Sequence, residues 1–179
     1  MESILTLATP AATDALAAAL APHLGAGDTL ALTGDLGAGK SHLARALIAT
    51  RLAALGRRED IPSPSYTLVQ TYDLGDVELW HADLYRLGDP GEIAELGLDE
   101  AFGRAITVVE WADRLGPALP ARHLAIALDF VAAPEEAQRA SDIFAEEARR
   151  ATVTAAGPGW DWLGAALETA RGVVPGVAR

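Results

Sequence analysis

No cysteine occurs in the 179-residue sequence. This absence excludes a disulfide framework, a zinc site with thiolate ligands and a cysteine nucleophile, and it fits a reducing compartment. Long apolar runs are also missing, since no stretch of about 18 residues is apolar enough to span a bilayer. Residues 1–10 contain neither Lys nor Arg and lack the apolar run of a secretory signal. We therefore expect a cytoplasmic protein with no membrane contact.

Positive charge is scarce as well. The chain has 14 Lys and Arg residues against 25 Asp and Glu residues, which gives a formal net charge of -11. Cationic side chains supply most of the sequence-independent affinity for nucleic acids. We therefore expect any contact with RNA to be made through a partner. The alternative is that the acidity only confers solubility.

Hydrophobic patterning predicts one domain, residues 1–179, in which strands and helices alternate. The predicted strands are Ile4–Leu7, Thr29–Thr33, Tyr66–Asp73, Val77–Asp83, Ala105–Glu110, Leu124–Phe130 and Ala151–Ala155. The predicted helices are Thr13–Leu24, Ser41–Leu55 with Gly56 as the stop, a short one within Pro90–Ala101, and Trp160–Arg171. Residues 133–147 are rich in Ala, Glu and Arg and have little apolar stripe, which indicates an exposed helix or an insertion.

The segment Gly34 to Ser41 reads GDLGAGKS and matches the phosphate-binding pattern G-x-x-x-x-G-K-[ST] in full. It lies between a predicted strand and a predicted helix. Glycines let successive backbone N–H groups face the phosphates, and the start of the helix adds a favourable dipole. Lys40 then reaches the β- and γ-phosphates, and Ser41 offers its hydroxyl to magnesium, which prefers hard oxygen ligands.

This motif predicts binding of a purine nucleoside triphosphate, namely ATP with Mg²⁺. The alternative is a glycine-rich turn that merely joins a strand to a helix. Together with the order of elements, the motif predicts an α/β P-loop NTPase fold, with a mostly parallel central sheet flanked by helices and an antiparallel hairpin. The candidate nucleotide-binding residues in it are Gly37, Ala38, Gly39, Lys40, Ser41 and His42, the last through its backbone N–H only.

Two carboxylates follow predicted strands. A P-loop requires such a group at the end of a neighbouring strand, to complete the magnesium shell or to orient the attacking water. Glu110 ends the run from Ile106 to Val109, and Asp83 ends the second strand of the hairpin. Ligands of open α/β sheets bind at the carboxyl ends of the strands. Either acid could instead cap the element that follows it.

Several residues near these acids have more than one possible role. Trp111 could be a core aromatic, a lid on the site or a partner contact. Arg86 could pair with Asp83 or act as an arginine finger, and we favour the pairing. The segment Pro62–Thr67 carries hydroxyls and two prolines, and it could be a γ-phosphate sensor or an ordinary loop. His81, like His23, has no metal-ligand spacing and is expected to be an ordinary residue.

Four segments together resemble one family. They are GDLGAGKSHLARAL at 34–47, SPSYTLVQTYD at 63–73, HADLYRL at 81–87 and VVEWADRL at 108–115. In order and spacing they look like the TsaE family of small bacterial P-loop ATPases. The resemblance implies an ATPase required for the threonylcarbamoyladenosine modification of tRNA. It also implies that the protein docks on a TsaB–TsaD heterodimer and contacts tRNA only indirectly, through that complex.

The resemblance also implies individual roles. Lys40 is similar to the phosphate-binding lysine of the family, and Ser41 takes the first magnesium position, usually held by threonine. Glu110 takes the second magnesium position, and Asp83 resembles the acid needed for hydrolysis. We therefore expect Lys40, Asp83 and Glu110 to be catalytic. Trp111 matches a tryptophan near the nucleotide.

Other implied positions are less regular. Ser63–Thr67 resembles the switch segment of the family, and adenine contacts are expected near Thr13. The sequence departs from the family where Ser65 replaces a common threonine and where Ala82 replaces an aromatic residue. Residues 133–147 look longer than the usual connection.

A small-molecule or nucleoside kinase is the main alternative, because it shares the P-loop. A kinase also needs a closing lid, often rich in arginine, and none is obvious here. A GTPase is disfavoured because no N-K-x-D string occurs. A regulatory nucleotide sensor with little turnover is the third alternative.

Overall fold

The computed structural model describes residues 1–88, 90–131, 148–173 and 177–178. Eight strands form a single sheet: β1 (Glu2–Leu7), β2 (Thr29–Thr33), β3 (Val69–Asp73), β4 (Glu78–Asp83), β5 (Ile106–Glu110), β6 (His123–Phe130), β7 (Arg149–Ala156) and β8 (Val177–Ala178). The α-helices are α1 (Pro10–Leu20), α2 (Lys40–Ala54), α3 (Pro90–Glu95), α4 (Leu98–Arg104) and α5 (Leu163–Val173), and 3-10 helices span Ala21–His23 and Ala112–Ala118.

The sheet has the strand order β3-β4-β5-β2-β6-β7-β1-β8. Its centre is parallel, because β4, β5, β2 and β6 pair side by side in the same direction. The expected hairpin of β3 and β4 is antiparallel and is confirmed. The sheet as a whole is mixed rather than mostly parallel, since β7 also pairs antiparallel with both β6 and β1.

The two faces of the sheet are covered differently. On one face α1, α2 and α5 pack over a large apolar cluster, which includes Leu5, Leu32, Val108 and Ile126. On the other face α3, α4 and the second 3-10 helix cover a smaller cluster under β4 and β5. Because successive strand residues alternate between faces, β2, β4 and β5 each contribute to both clusters, whereas β6 contributes only to the large one. This double coverage explains why β2 and β5 read as almost continuous apolar runs.

The first helix begins earlier than predicted. Thr9 is its N-cap, accepting a hydrogen bond from the Ala12 amide, and Pro10 follows at the first helical position. The predicted start at Thr13 is therefore wrong, and Thr13 lies inside the helix with its side chain buried. The helix also ends sooner, where Pro22 opens a 3-10 turn.

Other boundaries shift by a few residues. The helix predicted within 90–101 is two short helices separated at Gly97, which has a positive φ. The closing helix starts at Leu163 rather than at Trp160. Residues 133–147, predicted to be an exposed helix or an insertion, lie outside the described residues. Within the described ranges, no helix combines the length and the apolarity needed to cross a membrane.

Candidate functional site

The loop from Gly34 to Ser41, called here the P-loop, joins the carboxyl end of β2 to the start of α2. Gly34, Gly37 and Gly39 all have positive φ, the region that L side chains rarely adopt, and Gly39 is the N-cap of α2. Gly34 also passes close to β6, since a Cβ built on it would lie 2.1 Å from the carbonyl oxygen of Leu128. Glycine is required there for both reasons.

Replacing Gly34 with alanine should therefore destabilise the fold. The backbone conformation and the overlap with Leu128 together cost about 2 to 4 kcal/mol, which lowers Tm by about 5 to 15 °C. Gly103→Ala is the matched control, because Gly103 is an exposed helical glycine with open space around its Cβ position. Thermal unfolding of both variants checks this. A Gly34→Ala protein as stable as the wild type would contradict the close approach of the loop to β6.

Lys40 lies at the first position of α2 and is only 4% exposed. It is the only lysine in the chain. Its Nζ donates to the carbonyl oxygens of Gly34 and Asp35, at 2.6 and 2.8 Å. Burial lowers the pKa of Lys40, and the nearby carboxylates Glu110 and Asp83 oppose that shift. The ammonium group of Lys40 is thus enclosed by the backbone of the P-loop.

Glu110 lies at the carboxyl end of β5 and is 1% exposed. Ser41 Oγ donates to its Oε2 at 2.5 Å, and His81 Nε2 lies 2.8 Å from its Oε1. The register of β4 and β5 places Asp83 directly beside Glu110. Both predicted acids therefore lie at the same edge of the parallel strands, next to the P-loop.

Asp83 is held by the segment that precedes β3. Its Oδ2 accepts hydrogen bonds from Ser65 Oγ at 2.8 Å and from Ser63 Oγ at 3.3 Å, and its Oδ1 accepts the Tyr85 amide at 3.0 Å. The two serines also contact each other, at 2.9 Å. Residues 63–67 are called here the switch-like segment. Two of its hydroxyls thus donate hydrogen bonds directly to the buried carboxylate of Asp83.

Two non-glycine residues have positive φ among the described residues, and both flank this site. Leu68, with φ 64, follows the switch-like segment, and Trp111, with φ 58, follows Glu110. Such conformations are costly and tend to cluster at functional sites. The turn at Trp111 brings its ring over Lys40 Nζ, 3.7 Å from the ring centroid, and beside the ring of Tyr85. Trp111 is therefore a wall of the site rather than a core residue.

These groups surround a cleft of about 360 Å³. It is open to solvent, and the buried ends of Lys40, Asp83 and Glu110 lie at its base. Its lining residues are Leu36, Gly37, Gly39, Lys40, Ser41, His42, Arg45, Ser65, Asp83, Tyr85, Glu110 and Trp111.

A second cleft of about 290 Å³ adjoins the other side of the P-loop. Thr13 lines it, 26 residues before Gly39 in the sequence, so α1 forms one wall. His42 lines both clefts, and its Nε2 bonds to Asp14 Oδ1 of α1 at 2.7 Å. The lining residues of the second cleft are Leu7, Thr9, Pro10, Thr13, Gly37, Gly39, His42 and Arg149.

Known proteins resemble this chain in sequence and in structure. The sequence profile described as "Threonylcarbamoyl adenosine biosynthesis protein TsaE" matches residues 7–140. The chain belongs to the TsaE family. The TsaE protein of Bacillus subtilis is 35% identical over 155 residues, which are 86% of each chain. That of Haemophilus influenzae is 36% identical over 100 residues, which are 55% of this chain and 61% of the relative. The chain thus spans less than two thirds of the Haemophilus protein.

A solved structure is similar over nearly the full length. The crystal structure of Bacillus subtilis YdiB superposes with a TM-score of 0.69 at 28% identity, covering 96% of each chain. The similarity of fold thus extends over nearly the full length of both chains.

Most residues singled out by the TsaE resemblance meet in the first cleft. Lys40, Ser41, Asp83, Glu110 and Trp111 all line it. Thr13 lies in the second cleft instead, with the P-loop between the two groups. Contact of these residues with a nucleotide stays a prediction. Ala38 packs its methyl group into the core and donates its amide to Asp35 within the loop.

Three residues make contacts that the sequence did not indicate. Arg86 does not pair with Asp83, but lies over the exposed ring of Tyr66 at 4.3 Å. Arg149 contacts the P-loop from β7, donating to the Gly37 carbonyl at 3.4 Å. His81, for which only the lack of metal-ligand spacing was noted, is fully buried, and its Nε2 lies 2.8 Å from Oε1 of Glu110.

A sequence signal for His81 did exist. Alternation along β4 places His81 on the same face as Leu79 and Asp83, so a histidine occupies a core position in a strand that leads to the candidate acid. The missing information was the pairing of β4 with β5, which places the ring beside Glu110.

The oxygens in the first cleft fit a magnesium ion. Mg²⁺ is usually held by one or two protein oxygens, together with phosphate oxygens and water. Ser41 Oγ and Glu110 Oε2 form such a pair next to the lysine of the loop. The residues present therefore match the donor set that the motif predicts.

Proposed function

We propose that this TsaE-family protein binds ATP with magnesium and hydrolyses it, and that this reaction supports the threonylcarbamoyladenosine modification of tRNA through a TsaB–TsaD complex. The observation that carries the proposal is the convergence of Lys40, the Ser41–Glu110 pair and Asp83 in one cleft at the start of α2. The P-loop, the end of β4 and the end of β5 each contribute to this cleft, and together they supply the parts of a phosphoryl-transfer site.

Phosphate binding rests on the P-loop. The start of α2 presents unpaired backbone N–H groups, whose dipoles attract anions. Lys40 Nζ already lies within the loop and can exchange its bonds to the Gly34 and Asp35 carbonyls for bonds to phosphate oxygens. A phosphate offers this ammonium a charged partner in place of two neutral ones, and such charge-assisted hydrogen bonds are stronger.

Ser41 and Glu110 are proposed to hold the metal. Magnesium bound there supplies positive charge to the phosphate oxygens on which negative charge develops during transfer. Glu110 keeps Ser41 oriented, because the serine proton is donated to Oε2 and the lone pairs of Oγ stay available. Burial of Glu110 strengthens this arrangement by excluding competing water.

Asp83 is proposed to orient the attacking water. It is the second carboxylate of the cleft, and its Oδ2 bonds to the serines of the switch-like segment instead of to the P-loop. Movement of that segment on nucleotide binding would free or reposition the oxygen. The hydroxyls of Ser63 and Ser65 thereby couple the position of the switch-like segment to that of Asp83.

The second cleft is the proposed position of the adenine and ribose. It shares Gly37, Gly39 and His42 with the first cleft, so a nucleotide whose phosphates follow the P-loop can reach both. Thr13 and Thr9 offer polar groups on an otherwise apolar wall. This arrangement supports the adenine contact proposed near Thr13.

The partner and RNA roles rest on family membership and charge. The net charge of -11 disfavours direct affinity for tRNA. Docking on a TsaB–TsaD heterodimer would place the ATPase near the modification reaction without RNA contact. We propose this indirect role.

Phosphate release from ATP tests the proposal. We expect the purified chain to hydrolyse ATP slowly with Mg²⁺, to turn over faster when TsaB and TsaD are added, and to lose activity in EDTA. The same reactions with added nucleosides and small alcohols test the kinase alternative. Label from γ-³²P-ATP appearing on an added acceptor, with no free phosphate, would favour the kinase.

A further inference from the structure

His81 is the most deeply buried titratable side chain that the proposed reaction does not use. Its exposure is 0%, and its Nε2 lies 2.8 Å from Oε1 of Glu110. Its other ring nitrogen, Nδ1, has no hydrogen-bond partner among the described residues. Because buried polar atoms are nearly always paired, a half-satisfied histidine in a core position calls for an explanation.

The contact with His81 and the contact with Ser41 together fix both carboxylate oxygens of Glu110. A carboxylate can only accept hydrogen bonds, so Nε2 must carry a proton and donate it to Oε1. Ser41 Oγ donates to Oε2 at 2.5 Å. With one oxygen held from β4 and the other facing the P-loop, the carboxylate group cannot rotate without breaking one of the two bonds. His81 therefore determines where Oε2 lies.

The position of His81 in the sheet has no other evident use. It lies in register with Val108 of β5 and Gln70 of β3, and its neighbours on the same face of β4 are the buried Leu79 and Asp83. An apolar residue would bury more favourably there, since an unpaired ring nitrogen in the core costs stability. What an apolar residue would lose is the hydrogen bond to Glu110.

We propose that His81 is a positioning residue for magnesium, holding Glu110 in the orientation in which Oε2 and Ser41 Oγ bind the metal together. This inference rests on the proposed function, because it presumes that these two oxygens hold the ion. The imidazole itself does not touch the metal or the nucleotide. Partners of this kind, which orient a ligand from behind, typically change metal affinity 10- to 100-fold when they are removed.

Calorimetry of ADP binding, with Mg²⁺ and with EDTA, tests the proposal. His81→Phe keeps an aromatic ring but removes the donor, and we expect the affinity for ADP in Mg²⁺ to fall about 10- to 100-fold while the affinity in EDTA stays unchanged. His81→Gln can place an amide N–H toward Oε1 and should recover most of the loss. Equal weakening with and without metal, or no rescue by glutamine, would overturn the positioning role.

A double-mutant cycle separates this role from a packing defect. In a Glu110→Ala background, the change of His81 to Phe should no longer alter the magnesium dependence, because the carboxylate it orients is absent. Additive effects would contradict the inference. If the wild type itself showed no magnesium dependence, the proposed metal site would fail first, so the two failures are distinguishable.

Nitrogen-15 NMR of the wild type provides a test that needs no variant. The chain has four histidines, and four imidazole spin systems can be separated. We expect His81 to be the tautomer protonated at Nε2 and its resonances to shift when Mg²⁺ is added to the ADP-bound protein. A His81 signal protonated at Nδ1, or one unchanged by the metal, would refute the proposal even if His81→Phe did not fold.

Discussion

Lys40→Ala is expected to abolish measurable ATP binding, with a loss of affinity of at least about 100-fold. The ammonium group is 4% exposed and lies inside the P-loop, and no other lysine exists to replace it. Asp35, Asp83, Glu110 and Asp113 all surround it closely enough to raise its pKa against the effect of burial. Without Lys40, the triphosphate would meet these carboxylates without the ammonium group that offsets their charge inside the P-loop.

Calorimetry with ATP and Mg²⁺ measures this loss. Arg58→Ala is the matched control, because it removes the same unit of charge from an exposed position outside both clefts and should leave the affinity unchanged. An intact affinity in Lys40→Ala would remove the P-loop from the proposed function. Circular dichroism of both variants confirms folding, so a lost fold cannot imitate a lost ligand.

The single lysine also allows a test in the wild type. An amine-directed reagent can modify only Lys40 and the N-terminal amine, and mass spectrometry of peptides separates the two sites. The lowered pKa leaves more of the reactive uncharged amine at a given pH than an ordinary lysine would have. We expect ATP with Mg²⁺ to protect Lys40 and to leave the N-terminus unaffected.

Local sequence patterns were sufficient for the groups that lie on one continuous segment. The P-loop needs glycines at fixed spacing, and the start of a helix after a strand is itself a local pattern, so Gly34 to Ser41 could be placed without tertiary information. Glu110 and Asp83 could be found because the carboxyl ends of parallel strands meet at one edge. In both cases the candidate site residues could be identified from their position relative to the predicted strands and helices.

Groups joined by strand pairing could not be found in this way. Arg149 reaches Gly37 because β7 pairs with β6, and this antiparallel pairing was not apparent from the sequence. His81 reaches Glu110 through the register of β4 and β5. The start of α1 was predicted wrongly for a different reason. Thr9 and Thr13 are both suitable N-cap residues, and only the structure shows that Thr9 is the N-cap. Non-local register and competing caps therefore limited the prediction.

Asp83→Asn should keep nucleotide binding but reduce hydrolysis by about 100- to 10,000-fold, the usual contribution of a positioned acid or base. The amide keeps an oxygen for the Tyr85 N–H, so the turn after β4 is preserved. It loses the second carboxylate oxygen, which accepts from Ser65 and Ser63 and is proposed to orient water. Single-turnover phosphate release with saturating ATP measures the chemical step directly.

Asp73→Asn provides a closely matched control on the same hairpin. Asp73 ends β3 as Asp83 ends β4, and its Oδ1 accepts the amide of Gly75 two residues later, as Oδ1 of Asp83 accepts the amide of Tyr85. It differs in being exposed and in lying outside both clefts. If strand-terminal aspartates here only cap turns, both variants will hydrolyse ATP equally fast. A loss confined to Asp83→Asn would instead assign the effect to the second carboxylate oxygen of Asp83, because the shared cap is intact in both variants.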